Sequence, residues 1–143
     1  MNALQHLCRI ADEAKIAKYP NIPASRIPRS KYTDRTANGL TTCVMAWLQL
    51  NGHFCARINT GGIYDENLGK YRPSGSTRGT PDVLCCIRGR FVGLEIKSGS
   101  DKLSEAQKAI ARQIEASLGF FLEVRSFEGF YRWYEEFTRP PFL

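Results

Sequence analysis

Pro81-Asp82-Val83-Leu84-Cys85-Cys86-Ile87-Arg88-Gly89-Arg90-Phe91-Val92-Gly93-Leu94-Glu95-Ile96-Lys97 is the stretch on which the fold turns. Residues 81–87 are apolar and β-prone, Arg88-Gly89 has the chemistry of a tight turn, and residues 90–97 read as the returning strand. A two-residue turn sets Ile87 opposite Arg90 and, further along, Asp82 opposite Glu95. A three-residue turn would move the pairing by one. Directly opposed residues share a face with Cβ atoms about 5 Å apart. Lys97 joins that face, because alternate residues of a strand point the same way.

Two carboxylates this close repel each other, and in an apolar hairpin they ask for a cation or a shared proton. Oxygen-only ligands select a hard ion, Mg²⁺ or Mn²⁺, of the kind held by one or two carboxylates together with substrate phosphate. A Lys97 ammonium beside it could orient water or stabilise developing negative charge. The plainer alternative is an Asp-Lys-Glu ion-pair cluster on a solvated sheet face. Against it, Val92, Leu94 and Ile96 give the strand one apolar face, while Gly93 clears space on the face that carries the acid.

Outward from the hairpin, Ser104 caps a helix over 105–118 with an apolar stripe of Ala106, Ala109, Ile110, Ile114 and Leu118, closed by Gly119. Ser104-Glu105-Ala106-Gln107 has the form of a capping box. Phe120–Val124 reads as a buried strand, set parallel to 91–97 by a right-handed helical crossover. Ser126 caps a last helix through Phe137, whose Phe127, Phe130, Tyr131, Trp133 and Tyr134 read as core, with a dimer surface as the alternative. Upstream, residues 3–18 predict a helix with a weak stripe of Leu4, Leu7, Ala11, Ala14 and Ala17. Residues 19–34, broken by Pro20, Pro23 and Pro28, predict an extended basic arm or a packed linker. An uncharged and therefore largely buried helix spans 40–50, a strand spans 53–59, and residues 60–80 form a glycine-rich, substrate-facing loop carrying Lys70, Arg72 and Arg78. The expectation is an α/β protein, a mixed sheet flanked by helices. An N-terminal helix and proline-rich arm over 1–35 precede one domain over 36–143.

At 143 residues and 16.2 kDa the chain has room for one modest core. The net charge is +6. Residues 1–38 carry seven basic and three acidic side chains, whereas residues 103–143 carry five and six. One surface is thus suited to a polyanion and another to solvent. Cys8, Cys43, Cys55, Cys85 and Cys86 form no C-x-x-C pair and His6 and His53 have no ligand spacing, so reduced thiols in a cytosol are expected and zinc is not. No apolar run has signal-peptide or membrane-span length. A soluble intracellular protein with no membrane partner is expected.

Gly79-Thr80-Pro81-Asp82, then Glu95-Ile96-Lys97, then Leu103-Ser104-x-x-Gln107 resembles the PD-(D/E)xK nuclease superfamily over about residues 36–137, and more narrowly its small stand-alone VRR-NUC proteins of phages and bacteria. The resemblance implies a restriction-endonuclease-like core in the cytoplasm of a bacterial or phage-infected cell. It implies that Asp82, Glu95 and the Ile96 backbone carbonyl bind Mg²⁺ or Mn²⁺, that Lys97 serves the attacking water, and that Gln107 supports the site. Arg57, Asn59 and Thr60 are similar to the family's R-x-N-[ST]-G segment and would contact phosphate or brace the site. For Arg57 a structural ion pair is the competing role. Small nucleases of this class often pair, which implies a homodimer. The family usually has a glutamate ligand on its first core helix; here Thr36-Ala37-Asn38-Gly39-Leu40 offers only Asn38, whose amide oxygen can ligate the metal or reach it through water but brings no negative charge. The function expected is a metal-dependent nuclease hydrolysing DNA phosphodiesters, including branched or flap DNA. The alternative is a DNA-binding module with the same fold and weak or no cleavage.

Overall fold

The computed structural model describes residues 1–58, 63–72 and 77–141. Along the chain run α1 (Ala3–Lys18), a short 3₁₀ turn (Ala24–Arg26), α2 (Ala37–Leu50), β1 (Phe54–Arg57), β2 (Ile63–Asp65), β3 (Lys70–Arg72), β4 (Val83–Ile87), β5 (Arg90–Ile96), α3 (Glu105–Ala116), β6 (Phe120–Val124) and α4 (Phe127–Thr138). A four-stranded mixed sheet has the order β1-β4-β5-β6; β2 and β3 form a separate two-stranded ribbon. The protein is thus of the α/β class, four helices with one mixed sheet.

The hairpin takes the two-residue turn. Arg88 and Gly89 both have positive φ, 51° and 81°, as the twist-compatible hairpin turn requires. Ile87 therefore pairs with Arg90 and Val83 with Leu94. β6 runs parallel to β5 after the α3 crossover, as expected.

This register sorts the side chains. Val83, Cys85, Ile87, Val92, Leu94, Ile96 and Val124 fall on one face and join the core, together with Leu40, Cys43, Val44, Trp47 and Leu48 of α2 and Phe127, Phe130 and Tyr134 of α4. The absence of charge between Asn38 and Arg57 is thereby explained: α2 is the central helix of that layer. Trp47 sits amid the rings of His6, Phe127, Tyr131 and Tyr134, with centroids 5.1–6.1 Å away. The aromatics of α4 accordingly pack inward.

α1 belongs to the same core through Ala3 and Leu7, with Ala11 also buried. Its predicted stripe is corrected at the C-terminal end, where Ala14 and Ala17 are exposed because the helix outruns the layer it covers. Its first turn is closed by a capping box between Asn2 and Gln5. The arm is packed along it: Lys15 Nζ donates to the Pro28 carbonyl, and the Ser30 amide to Asp12 Oδ1 at 2.7 Å. Asp34 then accepts from the Phe127 amide at the start of α4. The linker reading describes the backbone here, while Arg26, Arg29 and Lys31 remain exposed.

Among the described residues α3 is the one helix that covers the opposite face, with Pro81 packed beside it. Two expectations fail there for the same reason, a single thin layer. No residue of α3 is fully buried, and β6, an edge strand, buries only Val124. Leu118, predicted to be in the apolar stripe, is 89% exposed; α3 ends at Ala116, and Leu118 takes a left-handed conformation (φ 65°) beyond the cap. Within residues 60–80, predicted as loop, the described part contains the β2–β3 ribbon.

Candidate functional site

β4 starts where β5 ends, and this brings the sequence-predicted acids together. Asp82 immediately precedes β4. Its Oδ2 accepts from the Ile96 amide at 2.8 Å, and its carbonyl accepts from the Ile58 amide at 2.7 Å. The aspartate is thus tied by side chain and backbone to the strands on both sides of β4. Glu95 lies on the α3 face and is only 2% exposed. Its Oε1 accepts from Gln107 Nε2 at 3.0 Å and has Lys97 Nζ at 3.9 Å. Its Oε2 is buried and accepts from no N–H or O–H donor among the described residues; the neighbouring Asp82 carboxyl is the group with which Glu95 shares a proton. Burial, first, then proton sharing with Asp82 and its charge, push the Glu95 carboxyl up to about 8, against the opposing pull of Lys97. A buried carboxylate oxygen left without a donor is costly, and an ion at that oxygen would relieve the cost.

Gln107 fills both roles that the sequence leaves open. Its Oε1 accepts from the Ser104 amide at 2.8 Å while Ser104 Oγ accepts from the Gln107 amide at 3.1 Å; the remaining amide group reaches Glu95. Lys97 is anchored at its backbone by donation to the Val124 carbonyl.

The leading glycine of G-x-P-D has a steric reason. Gly79 has φ 88°, and a Cβ there would stand 2.5 Å from the Ala106 carbonyl oxygen. Gly93 likewise yields to Pro81 and Ile114: a Cβ would lie 2.8 Å from Pro81 Cγ. The space beside Glu95 that the sequence attributes to this glycine is taken up by packing of Pro81 and α3.

Asn38 and Arg57 pair with each other. Arg57 Nη1 donates to Asn38 Oδ1 at 2.8 Å, joining the end of β1 to the first turn of α2. The one side-chain oxygen of Asn38 is therefore engaged by a guanidinium, and Arg57 is in an ion pair with no acid among the described residues. Lys70 and Arg72 stand in β3, and Arg78 follows the ribbon, exposed. Asn59 and Thr60 lie outside the described residues.

Two contributors escape the sequence. Glu123 lies beside Glu95 in the parallel β5–β6 pairing and adds to the upward push on its carboxyl. Arg125 pairs with Glu123 and donates to the carbonyls of Gly99 and Asp101, fastening the segment between Lys97 and α3. The parallel register across a helical crossover has no local signal that would have found either.

Among the described residues no three His, Cys, Asp or Glu side chains come together as a group that could hold a metal ion. No helix among the described residues is long and apolar enough to cross a membrane. The chain matches no model of a known protein family, and no curated protein matches it.

Proposed function

We propose that the protein is a divalent-metal-dependent nuclease that hydrolyses DNA phosphodiesters on a restriction-endonuclease-like core. One observation carries the reading: Glu95 is buried against Asp82, two carboxyls that must share a proton or a cation, with no donor among the described residues at its Oε2, while Lys97 and Gln107 both address the other oxygen. A site evolved only for stability would gain more from an apolar pair at this depth.

Asp82, Glu95 and the Ile96 carbonyl would hold Mg²⁺ or Mn²⁺. The ion, when bound, lowers the pKa of water and stabilises charge developing on phosphate. The chain supplies the rest. Gln107 fixes the rotation of the Glu95 carboxylate, leaving Oε2 directed away from the α3 amide group. Lys97 holds a positive charge beside the acids, where it can orient a nucleophilic water and stabilise the phosphorane-like anion. Arg57, exposed at the end of β1 and uncompensated by Asn38, is suited to a substrate phosphate.

A binding module that cleaves poorly is the second reading, favoured by Asn38, which brings no charge and already accepts from Arg57. The two separate on incubation with duplex, single-stranded and four-way-junction DNA in Mg²⁺ or Mn²⁺. Cleavage that disappears in Asp82→Ala and Lys97→Ala supports the nuclease. Binding without cleavage, or equal cutting by those variants, refutes it. Calorimetric titration with Mn²⁺ adds a readout free of activity: heat lost in Asp82→Asn marks the ion site.

A further inference from the structure

The β2–β3 ribbon presents two aromatic rings to solvent. Tyr64 and Tyr71 are direct cross-strand partners, their ring centroids 5.2 Å apart in an edge-on arrangement. They are nonetheless 53% and 70% exposed, because β2 and β3 pair only with each other and, among the described residues, no other layer covers them. Edge-on contact leaves aromatic faces open to a third ring.

The ribbon is tethered to the candidate site. The Ile58 amide bonds the Asp82 carbonyl, and β2 begins five residues later at Ile63, so its root lies within about 18 Å of Ile58 even with the chain fully extended. On the return the chain passes Arg78 and Gly79, docked on α3, and arrives at Asp82. Charge agrees with this placement. Lys70, Arg78 and Arg57 are solvent-facing cations along the same stretch, with Asp65 opposite Lys70 in the ribbon and Glu66 an exposed acid at its turn.

We propose that Tyr64 and Tyr71 form a stacking platform for unpaired bases of a DNA strand whose backbone runs toward Asp82 and Glu95. This rests on the nucleic-acid reading of the site and assigns it a substrate preference, DNA with a single-stranded portion. Every base has a π-face, so such a platform grips unpaired bases without reading sequence, and a duplex, with its bases already stacked, gains nothing from it.

The test is equilibrium binding of fluorescein-labelled single-stranded and duplex oligonucleotides of one sequence, in EDTA and at fixed salt, by fluorescence anisotropy. In Tyr64→Val/Tyr71→Val the rings are removed but strand propensity is kept. Affinity for the single strand should fall about tenfold or more, with duplex affinity within about twofold of wild type. Tyr64→Phe/Tyr71→Phe keeps the rings and should bind as wild type. Irradiation with 5-iodouracil oligonucleotides should attach the strand to the ribbon peptide. An unchanged single-strand affinity in the valine pair, an equal loss for duplex, a loss of the same size in the phenylalanine pair, or attachment confined to other peptides overturns the platform. Ring-dependent single-strand binding in a protein that cleaves nothing in Mg²⁺ or Mn²⁺ refutes the nuclease reading and leaves the platform standing.

Discussion

Gln107 holds Glu95 with the same side chain that caps α3. Its Nε2 donates to Glu95 Oε1 at 3.0 Å and its Oε1 accepts from the Ser104 amide at 2.8 Å, so the orientation of the buried acid and the start of the helix are set together. Substitutions can separate the two duties. Gln107→Ala should lose both, costing about 1 kcal/mol of stability from the cap and, at the site, a charge-assisted bond of about 1.5–3 kcal/mol. Gln107→Glu keeps the capping box but sets a second carboxylate against Glu95. A stability loss of about 1–3 kcal/mol from the lost donor to Glu95, with the cap kept, and a tenfold or greater loss of metal-dependent cleavage are expected, as measured by urea denaturation and initial rates. Cleavage unchanged in Gln107→Glu would reduce the residue to a cap.

The elevated Glu95 carboxyl has a signed consequence for stability. Between its ordinary value of 4.5 and about 8 the folded protein keeps a proton that the unfolded chain has released. Its contribution is therefore fully present below pH 4.5, is lost progressively as pH rises, and is gone above about 8, at up to about 1.4 kcal/mol per pH unit. Glu95→Gln cannot titrate. The stability difference between Glu95→Gln and wild type should accordingly grow in favour of the variant from pH 5 to pH 8 in EDTA, followed by urea denaturation at each pH. With Mn²⁺ present, wild type should recover the lost stability and release a proton on binding the ion, detectable calorimetrically in buffers of different ionisation enthalpy. A pH-independent difference would mean that Glu95 is ionised in the folded protein.

The local signals in the sequence located the hairpin and left two turn lengths open. The structure takes the two-residue turn at Arg88-Gly89, and the register that follows puts Asp82 and Glu95 together. Gln107 follows from its spacing to Ser104. What was not legible depends on layers. Nothing in the apolar spacing of 105–118 tells that α3 is, among the described residues, the one helix that covers its face, and so Leu118 and Phe120 read as buried when they are exposed. Nor does glycine content distinguish a loop from the β2–β3 ribbon, whose strands are three residues each and whose cross-strand pairs include Tyr64–Tyr71. The Asn38–Arg57 bond joins residues from two elements whose relative placement the core alone decides.

That bond yields a prediction about charge. Asn38 accepts from the Arg57 guanidinium without bringing a negative charge to offset it. Arg57→Ala should weaken DNA binding across sequences and lower the slope of log affinity against log salt by about one. Asn38→Asp, which neutralises the guanidinium in place, should produce a similar fall in slope with the side chain still present. Affinity measured in EDTA from 50 to 200 mM salt checks both. An unchanged slope in Arg57→Ala would assign the residue to bracing α2 against β1.

Gly79 and Gly89 share a left-handed backbone but not a neighbourhood, and the comparison isolates what the G-x-P-D glycine does. At Gly89, φ is 81° and nothing lies within 4 Å of an added Cβ; at Gly79, φ is 88° and the Ala106 carbonyl oxygen is 2.5 Å away. Gly89→Ala should therefore cost about 1–2 kcal/mol, the conformational strain alone. Gly79→Ala should cost about 2–4 kcal/mol, because backbone of α3 must also retreat. That retreat would carry Gln107, the residue after Ala106, away from Glu95. Gly79→Ala is thus expected to lose cleavage beyond its loss of stability, whereas Gly89→Ala, at the far end of the hairpin, should cleave normally at temperatures where it is folded. Urea denaturation and initial rates on the same preparations check both. Equal stability losses, or full activity in folded Gly79→Ala, would show that the loop moves independently of α3.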